Sequence, residues 1–308
     1  MSCRSKLLAI LFAGLTTFAT FAGAATPALA QPANADADTS TQRTVSTADG
    51  WTLPISYWAV DNEEAPVVVL LHEQTKADRK LWGKLVAEKL NKAGYAVVAV
   101  DLRKQGDAKS ARGAGGRNMG ALDYRLMISQ DLEAVKAFVL EQHQARKLNI
   151  AKTGFIAAGD MAVVAINWVA SDWLKVPYAD APVLANRTPK GQDTKAMLLL
   201  SPETSLKGVS VTQPLNVLKK FPVDMLVLYG KDDRSAKSNV SKLDRLLGGS
   251  VGTYQAFALP SKNRGERLLQ RGMRLSGTET ADATVKFFDD KLKAKPFPWR
   301  DRKSKVFD

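Results

Sequence analysis

The chain has 308 residues, enough for one large α/β domain that buries its core without disulfide bonds. Hydrophobic residues make up 45% of the sequence and charged residues 24%, which excludes a mainly disordered chain and indicates a globular protein. Lys and Arg exceed Asp and Glu by 44 to 31, and two histidines and one cysteine leave little material for metal sites or histidine-based catalysis.

The amino terminus has the pattern of a secretory signal peptide. Two basic residues precede an apolar run over 7–21, and residues 28–30 (Ala-Leu-Ala) supply the small side chains that a signal peptidase recognises. A membrane anchor is the alternative, but the run is shorter than the roughly 20 residues that a span needs. We therefore expect export to the periplasm or the outside, with a signal peptide over 1–30 and a flexible linker over 31–43. The mature chain would lack Cys3 and any transmembrane span.

The mature sequence alternates predicted strands and helices. A hairpin is predicted over 45–60, where apolar residues alternate with polar ones. Continuous apolar runs over 66–71 and 95–102 are typical of central strands in a parallel sheet, and a helical pattern over 80–92 separates them. Further helices are predicted over 124–146, 161–171, 239–247 and 280–291, and further strands over 153–158, 196–200, 225–229 and 254–259. This order predicts one doubly wound, mostly parallel α/β domain over 44–292, with an amino-terminal antiparallel hairpin.

Two motifs after the early strands carry a resemblance to a known family. Residues 70–73 (Leu-Leu-His-Glu) and 100–106 (Val-Asp-Leu-Arg-Lys-Gln-Gly) resemble the oxyanion-hole segment and the Asp-Leu-Arg-Gly-His-Gly turn of the α/β-hydrolase fold. The similarity is to its secreted esterase and peptidase-like members, and it covers roughly residues 51–292. It implies that His72 lies on the oxyanion side of the site's rim.

Two later motifs imply where the acid and the base of a catalytic triad would stand. Residues 228–233 (Leu-Tyr-Gly-Lys-Asp-Asp) resemble the late strand whose Gly-x-x-Asp supplies the triad acid, which points to Asp233. Residues 260–269 resemble the turn that carries the catalytic histidine, but Arg264 holds that place. Arginine stays protonated at ordinary pH, so it cannot act as a base. Beside carboxylates it could form a buried ion-pair network instead.

The family's nucleophile elbow, a strained Gly-x-Ser-x-Gly turn between strand and helix, falls at residues 158–162 (Ala-Gly-Asp-Met-Ala). This register places Asp160 at the nucleophile position, as in the resembling dehalogenase and epoxide-hydrolase branches. A register one residue earlier would place Gly159 there, without a side chain. A literal Gly-x-Ser-x-Gly at 248–252 lies between a predicted helix and a predicted strand, the reverse of the elbow's order, and we interpret it as a loop.

Neither histidine fits the role of the base. His143 is predicted on a solvated face of the long helix, and His72 precedes both proposed acids, whereas the family places its histidine after them. The resemblance therefore implies that Asp160, Asp233 and Arg264 occupy the positions of a vestigial triad.

Two further segments have open interpretations. The insert over 175–195 could cover the site as a lid or form a plain surface connection. The tail over 293–308 interleaves basic and aromatic residues, and could dock on anionic glycans or a lipid surface; nucleic acid is an unfavoured partner for an exported protein. Alternatively, Trp299 packs the tail back onto the domain.

Our first hypothesis is an exported, catalytically inactive α/β-hydrolase-like protein that binds a small-molecule or envelope ligand. The second is an active ester or alkyl hydrolase with Asp160 as nucleophile, Asp233 as acid, and His72 or a water as base. The third is a polyanion-binding module of the cell envelope. No cofactor motif and no metal motif is found in the sequence.

Overall fold

The structure is a computed structural model, and it describes residues 39–73, 78–111, 118–304 and 306. The predicted signal peptide lies outside the described residues, as does most of the predicted linker. The described residues form one compact unit. None of their helices is both long and apolar enough to cross a membrane.

The predicted strands and helices occur in the predicted order, and one helix and five two-residue strands are present in addition. The strands are β1 (Thr41–Ser46), β2 (Trp51–Trp58), β3 (Val67–Leu71), β4 (Ala96–Val100), β5 (Lys109–Ser110), β6 (Thr153–Ala158), β7 (Thr194–Leu200), β8 (Ser205–Leu206), β9 (Val209–Ser210), β10 (Asp224–Gly230), β11 (Tyr254–Leu259), β12 (Arg274–Leu275) and β13 (Thr278–Glu279). The α-helices are α1 (Glu88–Lys92), α2 (Ala121–Leu126), α3 (Leu132–Gln144), α4 (Met161–Trp173), α5 (Thr212–Leu218), α6 (Arg234–Leu247) and α7 (Thr280–Phe288). Turns of π-helix over Gly83–Ala87, Met127–Asp131 and Asp289–Lys293 adjoin α1, α3 and α7, and short 3₁₀ turns cover Ile150–Lys152, Leu184–Asn186 and Gly265–Leu269.

The main sheet is mostly parallel, as predicted. Its strand order is β1-β2-β4-β3-β6-β7-β10-β11, with β5 paired to β2. The pairs β1/β2 and β2/β4 are antiparallel, and every later pair in that order is parallel. The predicted hairpin is confirmed, although β1 begins at Thr41, inside the segment predicted as linker, where it pairs with Tyr57.

The sheet is covered on both faces, because side chains of a strand alternate between its two sides. Val67 and Val69 of β3 belong to the core that α3, α4, α5 and α6 cover, whereas Val68 and Leu70 belong to the core beneath α1 and α7. All four side chains are buried. This explains why the central strands read as continuous apolar runs.

The insert over 175–195 lies at the amino edge of the sheet. It joins the end of α4 to the start of β7, and a crossover helix returns the chain to the edge where the parallel strands begin. The insert contacts the tail there: Thr188 donates to the carbonyl of Lys303, and Arg302 donates to the carbonyl of Pro189. The interpretation of the insert as a lid is therefore wrong. Open α/β sheets bind ligands at the edge where the parallel strands end, and that edge is the opposite one.

The carboxyl-terminal tail packs on the domain through His143. This histidine is fully buried, and its Nε2 lies 2.9 Å from the carbonyl oxygen of Arg300. The ring of Trp299 covers it at 4.7 Å between centroids. The prediction that His143 lies on a solvated face was wrong. Its neighbours in the sequence are polar, but the carboxyl-terminal tail covers this position of the helix. Burial lowers the pKa of His143.

Candidate site at the carboxyl edge of the sheet

Charged side chains gather where the parallel strands end. His72 and Glu73 follow β3, Asp101 follows β4, Gly159 and Asp160 follow β6, Glu203 follows β7, Asp233 follows β10, and Arg264 and Glu266 follow β11. Because parallel strands all end at the same edge, residues distant in sequence meet there, and this edge is where open α/β sheets bind ligands.

Gly159 makes the turn from β6 into α4. Its φ of +51° lies in the left-handed region, where a side chain would strain the backbone. Asp160, the next residue, already has helical backbone angles. The amide of Gly159 donates to the carbonyl of Leu200, and its carbonyl accepts from the amide of Glu203. The strained residue of the turn is therefore Gly159. Both its amide and its carbonyl are hydrogen-bonded to the chain at the end of β7.

Glu73 takes the space beside this turn. A Cβ placed on Gly159 would lie 2.0 Å from Oε1 of Glu73, so a side chain at position 159 would require the Glu73 carboxylate to move. A Cβ on Gly265 would lie 3.0 Å from Oε2 of the same carboxylate. The amide of Glu73 donates a hydrogen bond to the carboxylate of Glu266, which is itself buried.

Arg264 binds several of these carboxylates at once. One terminal nitrogen lies 3.1 Å from Oε1 of Glu203 and 3.6 Å from Oε1 of Glu73. Its Nε lies 3.9 Å from Oδ2 of Asp233, whose other oxygen accepts from the amide of Ala236 at the start of α6. The charges of Glu73 and Asp233 raise the pKa of Arg264 against the opposing effect of burial, so this group stays a cation.

Glu73 titrates near neutral pH. Burial, followed by the negative charge of Glu266, raises the pKa of Glu73 to about 7, although Arg264 opposes the shift and Asp160 adds to it. Only 15% of the Glu73 side chain is exposed. This carboxyl is a group poised to exchange a proton near neutral pH.

His72 lies below the rim rather than on it. The ring is fully buried, with Nδ1 2.8 Å from the carbonyl of Glu73 and Nε2 3.0 Å from Oδ1 of Asp101. Both partners accept hydrogen bonds, so both ring nitrogens carry protons. Burial lowers the pKa of His72, but the hydrogen bond and the charge of Asp101 outweigh it, and the pKa is raised. A protonated, enclosed imidazole has no free nitrogen with which to act as a base.

No family model and no curated protein matches the sequence. Solved structures do match. An esterase of Pyrococcus furiosus is 16% identical, with 82% of this chain and 91% of that chain covered and a TM-score of 0.58. Esterase 2 of Thermogutta terrifontis is 12% identical, with 82% and 92% covered and a TM-score of 0.56. A dienelactone hydrolase of Anabaena variabilis is 16% identical, with 82% and 99% covered and a TM-score of 0.52. The chain has the α/β-hydrolase fold.

In the α/β-hydrolase fold the nucleophile stands on the strained strand-to-helix turn. At the turn between β6 and α4, the residue with a left-handed φ is Gly159. The backbone therefore places Gly159, and not Asp160, at the nucleophile position. The register favoured from the sequence was wrong by one residue. Asp160 begins α4 instead, and its charge acts on Tyr124, whose pKa burial and that charge raise to about 12. The segment 248–252 joins α6 to β11, which confirms it as a loop.

The structure brings together some of the residues proposed for a vestigial α/β-hydrolase triad. Asp233 and Arg264 meet, and Asp160 lies near enough to Glu73 for its charge to raise the pKa of that carboxyl. Glu73, Glu203 and Glu266 were missed by the sequence reasoning. A signal was present for Glu73, because it comes directly after a buried strand, beside the histidine that was singled out.

Metal binding finds no support in the described residues. No three of their His, Cys, Asp or Glu side chains are arranged to hold a metal ion. The carboxylates of this edge are instead bound to Arg264 and to backbone amides.

Proposed function

We propose that this protein is a hydrolase-fold protein that does not hydrolyse esters and that acts by binding a small-molecule or envelope ligand at the carboxyl edge of its sheet. The observation that carries the proposal is the occupation of the nucleophile's space by the Glu73 carboxylate beside Gly159. Nucleophilic acyl transfer needs a side chain on the strained turn and a base within hydrogen-bond reach of it.

The position of the base supports the same proposal. By the sequence resemblance, Arg264 takes the place of the family's histidine. Burial lowers the pKa of Arg264, but the charges of the surrounding carboxylates outweigh it and raise that pKa. His72 has both ring nitrogens bonded. A cation surrounded by carboxylates is suited to hold a ligand through charged hydrogen bonds and unsuited to accept a proton.

The test is turnover of short-chain p-nitrophenyl esters by the purified protein and by its Asp160→Ala variant. We expect both proteins to match the buffer rate, while an active esterase assayed beside them does not. Asp232→Ala is the matched control, since it removes an exposed aspartate near the same edge. Turnover that Asp160→Ala abolishes and Asp232→Ala preserves would refute the proposal.

A second candidate function is hydrolysis of an ester or alkyl bond with Asp160 as the nucleophile. The pKa of Glu73, raised to about 7 by burial and by Glu266, favours this candidate, because a carboxyl that titrates there could activate water as a general base. Trapping a covalent adduct on Asp160, located by mass spectrometry of peptides, separates this candidate from the first.

Export and polyanion binding by the tail stay predictions from the sequence. Amino-terminal sequencing of the protein from its native cells tests export, since the mature chain would begin at Gln31. For the tail, retention on an anionic matrix should be salt-dependent and should disappear on deletion of residues 293–308. Retention that survives the deletion would remove the tail as the binding element.

A further inference from the structure

A second concave site lies at the amino edge of the sheet, opposite the site described above. Two cavities of about 290 and 250 Å³ have Lys175, Pro189 and Lys190 in common, so they adjoin. We name them together the amino-edge cleft. Its walls come from α3, from the insert over 175–195 and from the carboxyl-terminal tail.

The amino-edge cleft is strongly basic. Its cationic lining residues are Lys136, Lys175, Arg187, Lys190, Arg300 and Arg302. Among the described residues the carboxylates that line it are those of Glu133 and Asp193. Cations that converge from three separate parts of the chain make a positive field that draws anions into a concave space.

The acidic side chains of the cleft are already bound by part of this set. Asp193 is buried between Lys136, at 2.9 Å, and Arg302, at 2.6 Å. Glu133 accepts two hydrogen bonds from Lys175. Asp172, just behind the wall, binds Lys136 and Lys175 as well. The inner cations therefore hold the walls of the cleft together.

The outer cations make contacts with neutral groups. Arg300 donates to the carbonyl of Ala185, and Arg187 donates to the carbonyl of Ala181. Lys190 lies over the ring of Tyr178, 4.2 Å from its centroid. Each of these contacts orients a cation at the cleft without neutralising its charge.

Arg302 forms part of the inner wall of the cleft. Its side chain is 7% exposed, and two of its nitrogens are bonded, to Asp193 and to the carbonyl of Pro189. Its Nε is buried and has no hydrogen-bond partner among the described residues. The guanidinium of Arg302 is therefore a fixed, buried part of the wall, and its charge is paired with Asp193.

We propose that the amino-edge cleft binds a compact small-molecule anion that carries two or more phosphate or carboxylate groups. The class of ligand follows from the sizes of the two cavities, which fit a small molecule with its charged groups a few ångströms apart. Lys190, Arg300 and Arg187 bind these groups, because the inner cations are already paired with Asp172, Asp193 and Glu133. The proposal is independent of the function proposed for the carboxyl edge.

Calorimetric titration of the whole protein with pyrophosphate, and separately with citrate, tests the proposal and tells the phosphate source from the carboxylate source. We expect one of these probes to bind at a ratio of one to one, with an affinity that falls as ionic strength rises. Lys190→Ala and Arg300→Ala should each weaken that affinity about tenfold, because each removes a charged hydrogen bond. Both side chains are exposed, so the variants should keep the wild-type circular dichroism spectrum.

Lys286→Ala is the matched control, because it removes an exposed lysine on α7, outside the cleft, and should leave the affinity unchanged. The proposal is overturned if neither probe binds, or if the two cleft variants behave like the control. A third arm uses phosphatidylglycerol vesicles in a sedimentation assay. Binding to vesicles without binding to either small anion would assign this basic face to a lipid surface, and would also overturn the proposal.

Discussion

The carboxylate of Glu73 lies so close to the backbone of Gly159 that a side chain on Gly159 would have to displace it. Oε1 of Glu73 would lie 2.0 Å from a Cβ on Gly159. In this fold the strained turn carries the nucleophile, so a nucleophile there would compete with the Glu73 carboxylate for the same space. The glycine at the turn and the position of Glu73 are thus one structural feature. The effect of a substitution at either residue should therefore depend on the side chain at the other.

Gly159→Ser should destabilise the protein by about 2 to 5 kcal/mol, the sum of left-handed backbone strain and overpacking against Glu73. Urea unfolding followed by circular dichroism measures the change. In a Glu73→Ala background the same substitution should cost less, because the space beside the turn is then open. Equal costs in both backgrounds would show that the two side chains do not compete.

Gly272→Ser is the control for backbone strain alone. Gly272 has a φ of +87°, but a Cβ there would meet nothing within 4 Å. We expect it to cost about 1 to 2 kcal/mol, the strain contribution by itself. The difference between the two serine variants then measures the crowding by Glu73.

Glu73 should make the protein less stable as pH rises from about 4.5 to 7. Burial and then the charge of Glu266 raise its pKa in the folded protein to about 7, from 4.5 in the unfolded chain. The folded state therefore binds the proton more tightly, and this stabilisation, of the order of 3 kcal/mol, is present below pH 4.5 and lost as pH rises through 7.

Glu73→Gln isolates this contribution, because it removes the titration and keeps the shape. The free energy of unfolding of the wild type minus that of the variant should fall across this pH range. Glu141→Gln, at an exposed position on α3, is the control for the glutamate-to-glutamine substitution itself. A flat difference for Glu73→Gln would contradict the raised pKa.

Much of the fold follows from the sequence, because buried parallel strands must be apolar on both faces. The runs over 66–71 and 95–102 became β3 and β4, and the literal Gly-x-Ser-x-Gly at 248–252 was correctly separated from the elbow by the order of helix and strand. The lid interpretation of the insert over 175–195 failed because composition alone does not say at which edge a connection lies. Counting whether the connection leaves a helix or a strand would have settled it.

The site was harder to predict, because its partners come from separate strand ends. Arg264 and Asp233 were found through a resemblance, but Glu203, 61 residues from Arg264 in sequence, is one of its partners only through the strand order. The one-residue error at Gly159 has a local cause. Strand ends shift by a residue without changing the hydrophobic pattern, and only the backbone φ fixes which residue makes the turn.

Asp101→Asn should destabilise the protein by about 3 to 5 kcal/mol, because it removes the buried carboxylate charge that binds His72 and Arg79. Asp101 lies 3.0 Å from His72 and 2.6 Å from Arg79. Although burial raises the pKa of Asp101, the hydrogen bond and charge of His72 lower it to about 2, so the carboxylate is charged throughout the neutral range. Urea unfolding measures the loss.

Asp107→Asn is the matched control for Asp101→Asn. Asp107 also reaches Arg79, at 3.3 Å, but its side chain is 59% exposed. Solvent screens an exposed pair, so we expect a change below about 1 kcal/mol. Similar losses for the two variants would mean that burial does not set the strength of these pairs.

Arg302→Ala should destabilise the protein by about 3 kcal/mol and loosen the tail, because it removes one of the two cations that bind the fully buried Asp193. The neighbouring Arg300→Ala, which loses an exposed hydrogen bond to a carbonyl, should cost less than about 1 kcal/mol. Hydrogen exchange read out by mass spectrometry should show faster exchange over residues 295–304 in the first variant and unchanged exchange in the second. If both variants exchange like the wild type there, the contact between Arg302 and Asp193 does not anchor the tail.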